Sequence, residues 1–275
     1  MVLGVLTMVF VTFLWGVGLV IPPLVKIPAV VYVFYRFLFA IPFMYLLARG
    51  KGFKKPNFKI LIAGSFLAGN WIALFWSIEF IDIASADLIY YTGPVIALIL
   101  SPVFLKVKNP WWVWISASLS FLGVFLMYRI STDLNPIGVV LALLGGFQYA
   151  MLIILGNILS KEYHPFVAVF YQMFVGIAIT SPFPFIFKHD LNLFKISLLV
   201  VAGFMLTSLS ISLWYFAMRR ISVRLVSILA YLDPVFAALT ARVAFGQPID
   251  LSKIVAGILI IGSGIFSVLM ERREP

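Results

Sequence analysis

The pair Asp233-Pro234 stands inside the apolar run LAYLDPVFAAL (229–239). A carboxylate in that setting can hold a cation or exchange a proton. A proline inside a helix removes a hydrogen bond and leaves backbone carbonyls free for a ligand. Arg36, in AVVYVFYRFLFA, is the other charge deep in an apolar run. A guanidinium there suits a carboxylate, either Asp233 or one carried by a solute. Trp15, Asn70, Tyr91, Gln148, Trp214 and Tyr231 fall near the middle of further apolar runs. Aromatic walls with a few placed polar groups are how small ligands are bound. These six are candidate solute-binding residues, Pro94 and Pro234 candidate hinges, and Asp233 and Arg36 candidate ion-coupling or pairing groups.

Each has a plainer use. Trp and Tyr form belts at membrane interfaces, and Arg side chains snorkel outward. Small residues such as Ser116, Ser120 and Gly123, or Gly257, Gly264 and Ser267, let helices approach each other. Glu79, Asp82 and Asp87 read as a solvated loop at the mouth between two apolar runs. There are no cysteines, and His164 and His189 lack metal-ligand spacing. No phosphate-binding loop or nucleophile–base motif is present. No catalytic residue, metal or cofactor is therefore expected, and no enzyme.

The elements that carry these residues follow from composition. The chain of 275 residues is 63% hydrophobic and 11% charged, against about 25% charged for a soluble domain. Its solvent must be lipid, where backbone groups have to be satisfied internally. The apolar runs are continuous, not alternating, so helices are expected and not a barrel. Spans of about 20 residues fit at roughly 2–21, 29–48, 60–81, 84–105, 111–130, 136–159, 165–187, 195–218, 222–244 and 251–270. The first run lacks a basic leader and a small-residue cleavage site, so it reads as a span. The net charge of +10 fits cytoplasmic loops better than nucleic acid. Thirteen of the 20 basic residues fall on the N-terminal side of the membrane, six (Arg129 among them) on the other, and Arg36 inside a span. That bias predicts both termini in the cytoplasm. Trp111, Trp112 and Trp114 are expected in the belt on that side.

The chain repeats itself. YYTGPVIALI (90–99) aligns with AYLDPVFAAL (230–239), placing Tyr91 on Tyr231 and Pro94 on Pro234. VFYR (33–36) aligns with VFYQ (169–172). Five spans per half force the second half into the membrane from the opposite side, an inverted repeat of 1–130 and 131–275. Asp233 is near mid-span, where an Asp costs about 2.5–3.5 kcal/mol. It must face the bundle interior, be paired or be protonated. Its repeat counterpart is Gly93, so the charge belongs to one half.

Two five-helix halves with these motifs resemble the drug/metabolite transporter superfamily, in its EamA-like branch. Trp15-Gly16 resembles the entry motif of helix 1. Lys26, Pro28, Arg36 and Gln172 stand where such sequences often have those types, and Pro94 and Pro234 resemble the proline of the fourth helix of each half. The Gly-Glu-Arg-like turn that often follows is replaced by KVKNP and GQPID, with Lys106 and Gln247 near the glutamate. The resemblance implies export or uptake of small metabolites, often amino acids, by alternating access.

The expectation is an all-α polytopic protein of the plasma or inner membrane, with ten transmembrane helices in two inverted five-helix repeats. It would move a small organic solute, an amino acid or a related amphipathic molecule, as its halves rock about a midplane cavity. Proton coupling through Asp233 is the accompanying hypothesis. Its partners would be that solute and membrane lipid, with no nucleic acid, and it would act as a monomer or weak homodimer. A membrane enzyme or lipid-handling protein, or a channel, are the alternatives.

Overall fold

The computed structural model describes residues 1–18, 20–128 and 134–273. Among these residues nine helical spans are long and apolar enough to cross a membrane: α1 (Val2–Val25), α2 (Ala29–Ala48), α3 (Phe58–Ser77), α4 (Ile83–Leu105), α6 (Pro136–Glu162), α7 (Pro165–Ile186), α8 (Leu193–Met218), α9 (Val223–Phe245) and α10 (Leu251–Arg273). A tenth apolar helix, α5 (Trp111–Met127), has 17 residues, about 26 Å at 1.5 Å per residue. Every span lies within four residues of the stretch expected from the sequence. Arg129 and the boundary at 130/131 lie outside the described residues.

Local chemistry sets the ends. Asn57, Asp82, Asn192 and Ser222 each cap a helix start by accepting a backbone N–H. Pro136 and Pro165 open α6 and α7 in the first turn, where a missing N–H costs nothing. Lys106 and Gly246 close α4 and α9 in left-handed geometry (φ 56° and 68°), in the two turns that depart from the family pattern.

Two spans are broken at matching places. α4 consists of Ile83–Tyr90 and Thr92–Leu105, joined at Tyr91. α9 consists of Val223–Leu229 and Leu232–Phe245, with Tyr231 at the join. Pro94 and Pro234 each sit at the third position of the second piece, so both first turns tolerate their missing N–H. The prolines thus end one helix and start another, a sharper feature than a bend. α8 is interrupted differently, by a π-helical segment Ala202–Leu209.

The main helix contacts join the two sequence halves: α3 packs on α6 and α7, α5 on α10, α4 on α6, α2 on α7 and α8, and α1 on α8 and α9. The largest apolar cluster draws Met8, Phe37, Ala97, Ile153, Trp214 and Tyr231 from both halves. The halves therefore share one core and are not self-contained bodies. Close approaches depend on glycine. A Cβ on Gly93 would lie 2.7 Å from the Gly146 carbonyl oxygen, so α4 meets α6 backbone to backbone at its break. One on Gly16 would lie 2.7 Å from the Ala237 nitrogen, which gives the Trp15-Gly16 pair a packing role against α9. Ser120 and Ser263 join α5 to α10 with hydroxyls 2.6 Å apart. Gly257, expected among the packing residues of α10, instead faces open space. Trp111 and Trp114 are exposed as a belt requires, but Trp112 is buried beside Arg224.

Candidate functional site

The two helix breaks are bonded to each other. Tyr91 donates its hydroxyl to Asp233 Oδ2 at 2.8 Å, and Tyr231 donates its hydroxyl to the Tyr91 carbonyl at 2.9 Å. The repeat-related tyrosines therefore tie α4 to α9 where each is interrupted. The break also explains how Asp233 is tolerated in the membrane. It lies in the first turn of the helix Leu232–Phe245, where the helix N-terminus favours a negative charge by about 0.3–1 kcal/mol. A hydrogen bond to a charged group adds about 1.5–3 kcal/mol. Together these offset the insertion cost of about 2.5–3.5 kcal/mol.

An aromatic chain extends from this point. Tyr91 packs edge-on to Tyr90, whose ring stacks parallel on Tyr149 at 5.2 Å. Tyr149 leads to Trp214 at 6.2 Å, and Trp214 to Trp15 at 5.9 Å. The Trp15 indole donates to Ser210 Oγ at 3.0 Å. Asn70, 1% exposed, accepts from the Tyr90 hydroxyl at 3.0 Å. Five of the six candidate solute-binding residues, Trp15, Asn70, Tyr91, Trp214 and Tyr231, thus belong to one connected wall that also carries Asp233. Gln148 stands next to Tyr149 in sequence but wedges against Gly69 of α3. The Gln148 Oε1 and the Trp214 indole nitrogen are buried with no hydrogen-bond partner among the described residues. Other buried polar atoms are also unpartnered, Gln172 Oε1 and Ser227 Oγ among them, but the Gln148 and Trp214 atoms lie on or beside the wall, where a ligand can complete them.

The structure adds residues that the sequence reading placed elsewhere or passed over. Glu79 and Asp82 are exposed, in keeping with a solvated mouth. Asp87 is not: it lies within the first piece of α4, half-buried, four residues before Tyr91 and so on the same face. It interacts with the Tyr128 hydroxyl and, through space, with Asp233. Tyr128 in turn stacks on Tyr91 with centroids 6.5 Å apart. The i, i+4 spacing of Asp87 and Tyr91 was the available signal.

Arg36 is also placed differently from the pairing expected of it. Its guanidinium lies 3.9 Å from the centroid of Trp71. Nε donates to Thr207 Oγ1 at 3.1 Å and Nη2 to the Leu206 carbonyl at 2.8 Å, both in the π-helical segment of α8. Asp233 turns to Tyr91 instead, and no ion pair joins it to Arg36 among the described residues. Among those residues, too, no group of three His, Asp or Glu is arranged to hold a metal.

A helical membrane bundle enclosing a wall of tyrosine, tryptophan, amide and carboxylate has the build of a membrane protein that handles small solutes. The chain belongs to the EamA-like transporter family, whose model matches it twice, over residues 2–129 and 136–270. It is a multi-pass protein of the cell membrane. It is 29% identical to the uncharacterized transporter YxxF of Bacillus subtilis over 80% of this chain and 72% of that one. Identity to the S-adenosylmethionine uptake transporter of Rickettsia prowazekii is 22%, over 88% and 83% of the two chains. It is 25% to the threonine/homoserine exporter RhtA of Salmonella typhimurium, over 81% and 75%. A protein crystal structure at 18% identity superimposes with a TM-score of 0.87 over 98% of this chain and 99% of the other, a likeness of fold. The relatives' names point to transport and not to catalysis.

Proposed function

We propose that this protein is a secondary transporter that carries a small amphipathic solute, an amino acid or a related molecule, by alternating access. The observation that carries the reading is the bonded pair of helix breaks, Tyr91 to Asp233 and Tyr231 to Tyr91, at the end of an aromatic wall. Broken helices at the core of a membrane bundle are where transporters seat their solutes. The solute lies along Trp15, Asn70, Tyr91, Gln148, Trp214 and Tyr231. α4 and α9 flex at Pro94 and Pro234, opening the wall to one side of the membrane and then the other. Because the halves share one core, the motion is bending of these pieces within the bundle. The two five-helix halves are inverted repeats, which tyrosine and proline at corresponding breaks support, and both termini lie in the cytoplasm, which the bias of basic residues supports. Asp233 exchanges a proton or a cationic group as it parts from Tyr91. Relatives named for threonine, homoserine and S-adenosylmethionine, all amino acids, support the solute class.

Counterflow into proteoliposomes preloaded with a panel of amino acids and other metabolites tests this reading, with and without a pH gradient. A transporter gives saturable uptake that an opposing solute accelerates. Flux that never saturates, accompanied by ionic conductance, is the signature of a channel and contradicts it.

A further inference from the structure

Arg36 carries a charge that it cannot shed. It is 8% exposed, and an ion so placed loses several kcal/mol of hydration unless something compensates it. Three other cations have carboxylate partners: Lys59 pairs with Glu162, Lys195 with Asp190 and Arg224 with Glu271. Arg36 pairs with none among the described residues. It has only neutral partners, the Thr207 hydroxyl, the Leu206 carbonyl and the faces of Trp71 and Tyr32.

Those partners fix the guanidinium without neutralising it. The guanidinium packs over the ring of Trp71. The π-helical turn brings Leu206 and Thr207 to one edge of the guanidinium, and Thr207 also bonds back to the Ala202 carbonyl at 3.3 Å. Single π-turns in helices recur at functional sites. Of the five N–H bonds of an arginine, two are used. The remaining three, on Nη1 and Nη2, have no acceptor among the described residues. A rigid fork with free donors matches the two oxygens of a carboxylate. Trp71, on which the guanidinium packs, is the chain neighbour of Asn70, and Asn70 accepts from the Tyr90 hydroxyl of the aromatic wall. Arg36 thus stands near the Asn70–Tyr90 part of the wall that also carries Asp233.

We infer that Arg36 is the receptor for a carboxylate of the transported solute. The inference rests on the transport reading above and narrows it to solutes bearing a carboxylate, with Asp233 and Asp87 across the wall for a cationic end. In the absence of solute the charge is held by neutral dipoles and aromatic faces. A solute carboxylate supplies the missing counter-charge, so the free acid binds more tightly than the matching amide or amine.

The test is counterflow in proteoliposomes with amino acids that the wild type exchanges, each compared with its carboxamide and its decarboxylated amine, for wild type, Arg36→Lys and Arg36→Gln. Wild type is expected to prefer each acid over its amide by tenfold or more. Arg36→Gln should bring that preference close to one, and Arg36→Lys should keep a part of it with a raised KM. If Arg36 only caps the π-helical turn, both variants lose thermal stability while the acid-to-amide preference stays unchanged, and the inference fails. Equal exchange of acid and amide by wild type overturns it without any variant and leaves the transport reading standing. So does exchange confined to solutes without a carboxylate. No exchange of any solute in the wider metabolite panel overturns the transport reading itself.

Discussion

Tyr91 and Asp233 sit on different halves of the chain, and their side chains meet at 2.8 Å where α4 and α9 are both interrupted. Removing the hydroxyl alone, with Tyr91→Phe, keeps the ring against Tyr90 and Tyr231. It leaves the carboxylate without that donor, a loss of about 1.5–3 kcal/mol. Denaturation in detergent micelles should show a destabilised protein, and counterflow should slow by at least about tenfold if the bond forms and breaks in each cycle. Unchanged stability and rate would mean that the bond plays no part in either.

Restoring the missing N–H groups tests the breaks themselves. In Pro94→Ala with Pro234→Ala, residues 94 and 234 regain donors for the carbonyls of Tyr90 and Ala230. Continuous helices are then available, and thermal stability should hold or rise. Exchange should slow by about tenfold, equivalent to about 1.4 kcal/mol on the barrier. A double variant that transports at the wild-type rate removes the hinge role.

Glycine contacts give a paired comparison within one protein. Gly93→Ala places a methyl 2.7 Å from the Gly146 carbonyl oxygen and must part α4 from α6. Overpacking of this kind costs about 1–3 kcal/mol. Gly257→Ala meets nothing within 4 Å and should be neutral, or stabilising by up to about 1 kcal/mol through helix propensity. Thermal unfolding of the two variants side by side checks the order.

A pH effect on stability is expected at the loop between α6 and α7. His164 caps α7, its Nδ1 accepting the Phe166 N–H. Burial, reinforced by Lys51 and Arg219, holds its pKa below the ordinary 6.5. The folded state thus binds its proton less readily than the unfolded chain. The cap's contribution is whole above about pH 6.5 and is lost as pH falls through the lowered folded value. Thermal unfolding between pH 8 and pH 5 should show wild type losing more stability than His164→Asn, whose amide caps without titrating. Parallel curves would contradict the assignment.

Much of this was legible in the sequence, for physical reasons. Continuous apolar runs punctuated by charge and proline leave few choices of span, so all ten were located closely. The Tyr-x-x-Pro repeat marked both breaks with Tyr91 and Tyr231, and a position near mid-span marked Trp15, Asn70 and Trp214. What it could not convey was register. Asp87 lies near a span end, where a charge reads as solvated, and only the placement of α4 against Tyr128 turns it inward. The partners of Arg36 depend on a π-helical turn that shifts Leu206 and Thr207 off the 3.6-residue pattern. Whether small residues such as Gly123 and Gly257 face a neighbour or lipid depends on the helix packed beside them, not on their type.

The proposed function makes Asp233 part of the working site and not only a fixture of α9. The initial rate of solute counterflow as a function of pH, in wild type and Asp233→Asn, tests it most directly. Saturable, pH-dependent exchange is expected of wild type. The variant, whose amide can still accept from Tyr91 and so keep the fold, should exchange slowly and no longer respond to pH. An Asp233→Asn protein with the wild-type rate and the wild-type pH profile would contradict it.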